Sequence, residues 1–478
     1  MKVKFGTSGW RGIIAKDFTF ENLKICLQAI IKYFKENNLS SVIIGYDTRF
    51  LAEEFARYAA TYLASNEIKV YFCDRDTPTP VISYEIIHRK LDGGIHFTAS
   101  HNPPIYQGLK FIGSNGASPL KEVTSRIESY IEEIYPNRAQ IEEPIISFES
   151  LLESGKVQII DPSKDYIESI KKYIDIDVIR NANITVVYDA MYGTGRDYTD
   201  KILRDLGVNV ISINNYRDAL FGGHAPEPST KNLTKLSETV LSESTNNNLV
   251  IGIANDGDAD RYAVVDSDGT YVDANYLLAI LFDYALKYKP TWKGSVVRSV
   301  GTTHLIDKIA EKHSIKVHEV PVGFKYIGDI MLKEDIIVGG EESNGLSVNG
   351  HIPEKDGILA CLLFVEIFAR IKVKFGEYIQ NLMTQYGSFV PIKASVKLTE
   401  EQKVKLIDIL ENDKIKELNG QKVVKVNKLD GIKLITEDGT WALLRFSGTE
   451  PLVRLYAESS NHEKTEALIS YIKNLVVT

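Results

Sequence analysis

The sequence predicts an α/β protein of several domains, three βα-type regions followed by a smaller α+β one. Three observations predict it. The 478 residues exceed what one core holds and suggest about three or four domains. Short apolar runs alternate with stretches of helical period, and this rhythm restarts twice. After about residue 376 the order of elements changes and short strands come in succession. The expected domains are 1–150, 151–260, 261–375 and 376–478.

Composition narrows the class. Hydrophobic residues make up 44% and charged residues 25%, as in ordinary globular chains. A net charge of -8 is not the footprint of a nucleic-acid-binding surface, although it allows a local basic pocket. No apolar run reaches the roughly 18 residues of a membrane span, and the amino terminus carries no apolar signal segment. Cys26, Cys73 and Cys361 are far apart in apolar surroundings and match neither a disulfide framework nor a zinc site. Buried free thiols in a cytoplasmic protein are expected.

In the first region, Gly6-Thr7-Ser8-Gly9-Trp10-Arg11-Gly12 surrounds an arginine with small residues and backbone amides, a candidate anion cradle. Thr19 caps a helix with apolar Leu23, Leu27, Ile30, Ile31 and Phe34. Residues 42–47 read as a buried strand, 52–64 as a helix, 69–72 as a strand and 81–87 as a helix. Residues 93–98 read as a strand running into Ala99-Ser100-His101-Asn102-Pro103. Side chains at the carboxyl ends of such strands are the ones a substrate reaches, and Asp47, Arg49 and Ser100 fall there. An ordinary polar turn is the plainer account of 98–103 taken alone. A helix over 121–135 and a proline-punctuated stretch to about 163 end the region.

The second region opens with strand 184–188. Gly193-Thr194-Gly195 does not complete a dinucleotide fingerprint. Strand 249–254 runs into Asn255-Asp256-Gly257-Asp258-Ala259-Asp260-Arg261. In extended geometry the three carboxylates share one side, and crowded like charges call for a cation. Oxygen donors of this kind suit Mg²⁺. A calcium loop lacks its later glycine and glutamate here, and an acidic turn is the third account.

The third region carries a helix over 274–288, a strand over 295–300 and a helix over 305–313. Lys325 stands beside Gly323 as a candidate substrate contact. Strand 336–338 leads to Gly340-Glu341-Glu342-Ser343-Asn344-Gly345, whose Glu341 and Ser343 could meet sugar hydroxyls or form a plain glycine-rich loop. His304, His318 and His351 lack ligand spacing, and helix 358–371 closes the region. In the last region, strands at 394–398, 423–426, 432–435 and 453–457 accompany helices from 401 and over 462–476. Arg445-Phe446-Ser447-Gly448-Thr449 is a candidate phosphate loop with Arg454 adding charge, and is not a nucleotide P-loop.

Together these pieces resemble the α-D-phosphohexomutase family, which includes phosphoglucomutase and phosphomannomutase. The matching stretches are 6–12, 98–103, 256–261, 340–345 and 445–451, in the family's order. The resemblance implies four domains around a central cleft, three alike and the C-terminal one distinct. It implies that Ser100 carries the phosphoryl group beside His101. Asp256, Asp258 and Asp260 would hold Mg²⁺ with the phosphoserine as a further ligand. Arg261 would place the reacting group, and Arg11 and Lys110 would serve proton transfer and charge stabilisation. Glu341 and Ser343 would bind the sugar, and Arg445, Ser447, Gly448 and Thr449 the non-reacting phosphate.

The implied reaction passes a phosphoryl group from Ser100 to a hexose 1-phosphate. The bound 1,6-bisphosphate turns around and returns its other phosphate, leaving hexose 6-phosphate. A hexose 1,6-bisphosphate would prime it. The sugar loop lacks the histidine of mannose-active Gly-Glu-Met-Ser-Gly-His and glucosamine-specific Gly-Glu-Gln-Ser-Gly-His relatives. Phe324-Lys325 departs from the histidine that some dual-specificity relatives place after Gly323. Phe446 replaces a proline common in glucosamine enzymes. These departures point to glucose, with mannose or dual specificity as the alternative. A metal-dependent phosphatase and a non-catalytic sugar-phosphate sensor are the other readings. The partner expected is a phosphorylated hexose, not nucleic acid or membrane, and no coiled-coil repeat specifies an oligomer.

Overall fold

A computed structural model describes residues 3–4, 9–244, 249–411, 415–446 and 452–477. The first domain begins with β1 (Gly9–Ile13), α1 (Phe20–Glu36), β2 (Ser41–Tyr46), α2 (Ala52–Ser65) and β3 (Lys69–Cys73). It continues with α3 (Thr79–Arg89), β4 (Gly93–Phe97), β5 (Tyr106–Gly113) and α4 (Lys121–Ile134). Then come α5 (Phe148–Glu153) and β6 (Val157–Ile160). The sheet order is β1-β5-β4-β2-β3-β6. The inner strands β2, β3 and β4 are parallel, and β5 reverses to pair antiparallel with both β4 and β1. Thr19 caps α1 as expected, its hydroxyl accepting from Asn22 N at 3.2 Å. The apolar faces of α1, α2 and α4 form one core with Trp10, Phe97 and Phe111, while Ile82 and Ile86 of α3 pack with Ile43 and Ile112. β5 carries no clear strand signal in the sequence, since Lys110 interrupts its apolar run. Strand β6 follows residue 150 yet pairs with β3 and completes this sheet.

The second domain holds α6 (Ser163–Ile170), α7 (Ile176–Arg180), β7 (Ile184–Asp189), α8 (Thr199–Asp205), β8 (Asn209–Ile213) and α9 (Thr234–Glu243). Strands β9 (Leu249–Asn255) and β10 (Tyr262–Val265) complete a sheet of order β10-β9-β7-β8. The third contains α10 (Ala274–Tyr288), β11 (Ser295–Ser299), α11 (Leu305–Lys312), β12 (Val317–Val320), α12 (Phe324–Met331) and β13 (Ile336–Glu341), with both neighbours of β11 parallel to it. There follow β14 (Gly345–Val348), α13 (Gly357–Ile371) and α14 (Phe375–Tyr386). Helix α13, the helix expected to close the third region, is buried from Gly357 to Ala369 and packs on β14 of the third sheet as well as on β9, β10 and α7.

The C-terminal domain is α+β. Its strands are β15 (Val390–Lys397), β16 (Glu417–Leu418), β17 (Gln421–Asn427), β18 (Ile432–Thr436), β19 (Trp441–Phe446) and β20 (Leu452–Ser459). They form an antiparallel sheet of order β15-β20-β19-β18-β17-β16. Helix α15 (Glu400–Glu411) precedes β16, and α16 (His462–Val477) packs on β15 and β20. The architecture is thus three similar mixed α/β sandwiches and a smaller α+β domain. By compactness the chain forms two units. The first comprises 1–272, 331–333 and 343–375, and the second 273–330, 334–342 and 376–478. All three cysteines are free and buried, as expected. Among the described residues no helix is long and apolar enough to cross a membrane.

Candidate functional site

In the first unit the chain leaves β4 at Phe97 and turns sharply at Ser100, whose φ is +52°. A side chain in this left-handed region costs of order 1–3 kcal/mol and persists only where neighbours fix it. The neighbours here are explicit. Ser100 N donates to Thr98 Oγ1 at 2.8 Å. Buried Arg49 donates to the carbonyls of Ser100 (2.6 Å), Asn102 (2.7 Å), Pro103 (2.8 Å) and Tyr106 (3.0 Å), and its Nε to Asp47 (3.0 Å). The hydroxyl of Ser100 is thereby presented 3.2 Å from His101 Nδ1, and it donates to Asp256 Oδ2 at 3.0 Å.

The aspartates converge, but not along an extended strand as the sequence reading had it. β9 ends at Asn255 and a tight turn follows, with Ala259 at φ +54°. Backbone curvature, not strand alternation, brings one oxygen from each of Asp256, Asp258 and Asp260 within 4.8 Å of the others. Gly257 permits the approach to the serine loop, because a Cβ there would lie 2.9 Å from Ser100 O. All three carboxylates are buried. Burial and the two neighbouring aspartates push Asp256 well above the usual carboxylate range. Burial also acts to raise Asp258, but Lys110 overrides it and keeps that carboxylate ionised.

Cations surround the cluster. Lys110 Nζ lies 3.0 Å from both Asp258 Oδ2 and Asp260 Oδ2, and Lys355 Nζ lies 3.1 Å from Asp260 Oδ2. Arg261 N donates to Asp256 Oδ1 at 3.0 Å, and Arg11 on β1 donates to Asn102 Oδ1 at 2.6 Å. Burial, then Arg261 and Arg11, hold the His101 imidazole neutral. The remaining oxygens, Asp258 Oδ1 and Asp260 Oδ1, are buried and accept no hydrogen bond. Such orphaned acceptors are costly unless a cation or water meets them. The donor set therefore fits a hard divalent cation.

The sequence reading missed Lys355 and Glu354. Glu354 is buried, pairs with Lys355 at 2.9 Å and accepts from Ser118 Oγ. Before α13 they read as an ordinary charged pair, and nothing local marks them. It also missed Thr79 on α3, which donates to Asp258, and His96 on β4, which meets Thr79 behind the cluster. Ser343, in the same unit, is half-buried in the turn after β13.

The second unit holds the other expected contacts. Glu341 is buried at the end of β13 and accepts from Gly323 N at 2.7 Å. Two residues on, α12 carries the buried Lys325. Glu342 turns to Ser299 Oγ and Thr302 Oγ1. Arg445 on β19 stands directly opposite Arg454 on β20. Like charges facing across a ladder are destabilising, and Asp430 compensates only Arg445, at 2.7 Å. Ser447, Gly448 and Thr449, like Gly6, Thr7 and Ser8, lie outside the described residues.

Comparison with known proteins gives this geometry its context. Residues 2–138, 164–269 and 273–386 match the models for alpha/beta/alpha domains I, II and III of phosphoglucomutase/phosphomannomutase, and 395–475 match its C-terminal domain. A phosphoglucomutase/phosphomannomutase of Thermococcus kodakarensis is 32% identical over 96% of this chain and 95% of its own length. A phosphoglucosamine/phosphogalactosamine mutase of Sulfurisphaera tokodaii is 29% identical over 99% of this chain and 98% of its own. The crystal structure of a Thermus thermophilus protein, described as a candidate phosphomannomutase, superposes with a TM-score of 0.85. It is 31% identical and covers 100% of this chain and 99% of that one. With every domain matched in order, the chain belongs to the α-D-phosphohexomutase superfamily of phosphoglucomutases and phosphomannomutases, whose activity is intramolecular phosphoryl transfer on a phosphorylated hexose.

Proposed function

We propose that the chain interconverts glucose 1-phosphate and glucose 6-phosphate through a phosphoserine at Ser100. The observation that carries this reading is the buried Ser100 hydroxyl, held on a strained turn 3.0 Å from Asp256 within a ring of cations. Phosphoryl transfer asks mainly for positioning and charge stabilisation. In the forward direction the bond from phosphorus to Ser100 Oγ breaks and one to the sugar 6-oxygen forms, while the sugar hydroxyl proton ends on Ser100 Oγ. His101 Nδ1, at 3.2 Å and neutral, is placed to hold a proton at that atom. Arg11, Lys110, Arg261 and Lys355 supply positive charge to the transferring group. Asp256, Asp258 and Asp260, with the phosphorylated Ser100, would hold Mg²⁺, which supplies further charge neutralisation there when bound. Reversal after the 1,6-bisphosphate turns around gives the 6-phosphate, and trace hexose 1,6-bisphosphate primes Ser100.

Glu341 and Ser343 are the contacts for sugar hydroxyls, and Arg445 and Arg454 with residues 447–449 those for the distal phosphate. Mannose 1-phosphate is the second reading, favoured by the double name of the Thermococcus relative. The test is coupled turnover with Mg²⁺ and trace glucose 1,6-bisphosphate on glucose, mannose and glucosamine 1-phosphates, following phosphate release in parallel. Glucose 1-phosphate is expected to turn over fastest, and Ser100→Ala to remove all isomerisation. Phosphate release without isomerisation would replace the mutase by a phosphatase, and tight binding with neither reaction would make it a sensor.

A further inference from the structure

Beneath the aspartate cluster lies a hydroxyl with three polar partners. Thr79 Oγ1 is fully buried at the first turn of α3. It lies 2.6 Å from Asp258 Oδ2, 2.8 Å from His96 Nδ1 and 3.2 Å from Lys110 Nζ. Its backbone also meets the aspartate loop, Thr79 N donating to Asp258 O at 2.9 Å. A hydroxyl owns one proton. The shortest contact, to an ionised carboxylate, takes that proton, so Thr79 must accept from both Lys110 and His96. His96 Nδ1 therefore carries the hydrogen between the two. Burial supports a neutral ring that can do this, pushing the His96 pKa down to about 4.

The sheet explains why the two donors meet one hydroxyl. His96 on β4 and Lys110 on β5 are register partners, directly opposite in the antiparallel ladder. Their side chains share a face, and α3 lies on that side with Ile82 against Gly45 and Gly94. The strand that delivers Ser100 thus also delivers His96, four residues earlier.

The consequence falls on the orientation of Asp258. Its Oδ2 is held by Thr79 and Lys110, while Oδ1 is left without a protein donor. We propose that Thr79 and His96 are positioning residues that lock the Asp258 carboxylate with one oxygen turned to the cation, so that the site binds metal without first having to order this ligand. This rests on reading the aspartates as a divalent-metal site. Partners one shell behind a ligand typically contribute about 10–100-fold to metal affinity.

Mn²⁺ binding to the unphosphorylated full-length protein, counted from the electron paramagnetic resonance of the free ion, tests the proposal without turnover. Wild type should bind Mn²⁺ and Asp258→Asn should lose it. Thr79→Val, close in shape but without the hydroxyl, should weaken binding about tenfold or more. Thr79→Ser should recover most of it, which a purely packing role would not predict, and His96→Leu should weaken it where His96→Asn, which keeps a donor, does so less. If Thr79→Val does not fold, the His96 pair carries the same comparison. Thr79→Val or His96→Leu binding Mn²⁺ as tightly as wild type overturns the positioning role while leaving the metal site standing. No Mn²⁺ binding by wild type overturns the metal reading itself, and the inference with it.

Discussion

Every N–H of the Arg49 guanidinium has an acceptor, and four of the five are carbonyls of the loop that carries Ser100. A lysine offers three donors at most, so Arg49→Lys leaves at least two of these contacts unmade in a buried place. Each buried unsatisfied carbonyl costs about 1–3 kcal/mol, which puts the loss near 2–6 kcal/mol. The substitution is expected to lower the melting temperature and, because the unsupported loop can relax the strained φ of Ser100, to reduce kcat more than it changes KM. Denaturant unfolding and steady-state kinetics on the same sample check both parts. A variant with wild-type kcat would mean that the loop holds Ser100 without Arg49. The residue types at Ser100 and the three aspartates were legible because each set lies within a few consecutive positions. Thr79 and Lys355 were not, since each meets the aspartates only through a distant return of the chain. No local pattern marks a threonine before a proline, or a lysine before a helix, as belonging to a site.

At the scale of elements, long helices and central strands followed from hydrophobic period, as α10 and β2 illustrate. What escaped was short or polar in the middle. α12 covers eight residues behind a glycine, and β5 is buried along most of its length with Lys110 at its centre. For α13 the burial was legible and the partners were not. A helix apolar on all sides announces burial but not which sheet it covers. Its amino terminus abuts the aspartate loop, Gly357 N donating to Ala259 O at 3.1 Å. A Cβ on Gly357 would lie 2.3 Å from Arg261 O and 2.8 Å from Ala259 O, both backbone atoms. In an unobstructed helix alanine is more favourable than glycine by about 1 kcal/mol. Here the clash decides the sign, so Gly357→Ala should destabilise the protein and weaken Mn²⁺ binding by displacing the loop. Thermal unfolding and ion binding measured together check it. A variant that melts higher and binds normally would show that the helix can retreat without moving the aspartates.

At the scale of the whole molecule, each compact unit has its own core and its own buried charge. In the first the charge is the cluster of Asp256, Asp258 and Asp260, a candidate metal site. In the second it is Lys433, fully buried on β18, with Nζ 2.9 Å from Val300 O, 2.7 Å from His304 Nε2, 3.1 Å from Glu319 and 4.0 Å over the Trp441 ring. Burial, then Arg298, push its pKa from the ordinary 10.5 of a lysine down to about 8. Between these two values the unfolded chain binds a proton that the folded one does not, so stability rises with pH across that window. Below about 8 the cost of burying the ammonium is present in full. The interval from 8 to 10.5 corresponds to a gain on the order of 3 kcal/mol by its upper end. Other lysines and tyrosines also titrate at high pH, so the quantity to measure is the difference between wild type and Lys433→Met, whose side chain fills a similar volume without a charge. Wild type should gain on Lys433→Met as pH rises from 8 to 10.5 in denaturant titrations. Trp441 offers a direct witness, since the ammonium sits on its ring and Glu458 accepts from its Nε1 at 2.7 Å. Native-state fluorescence should change with a midpoint near pH 8 in wild type and stay flat in Lys433→Met. A wild-type midpoint above about pH 10 would mean that Glu319 and the Trp441 ring stabilise the ammonium as well as water does, and the stability difference between the two proteins would then not change across the window.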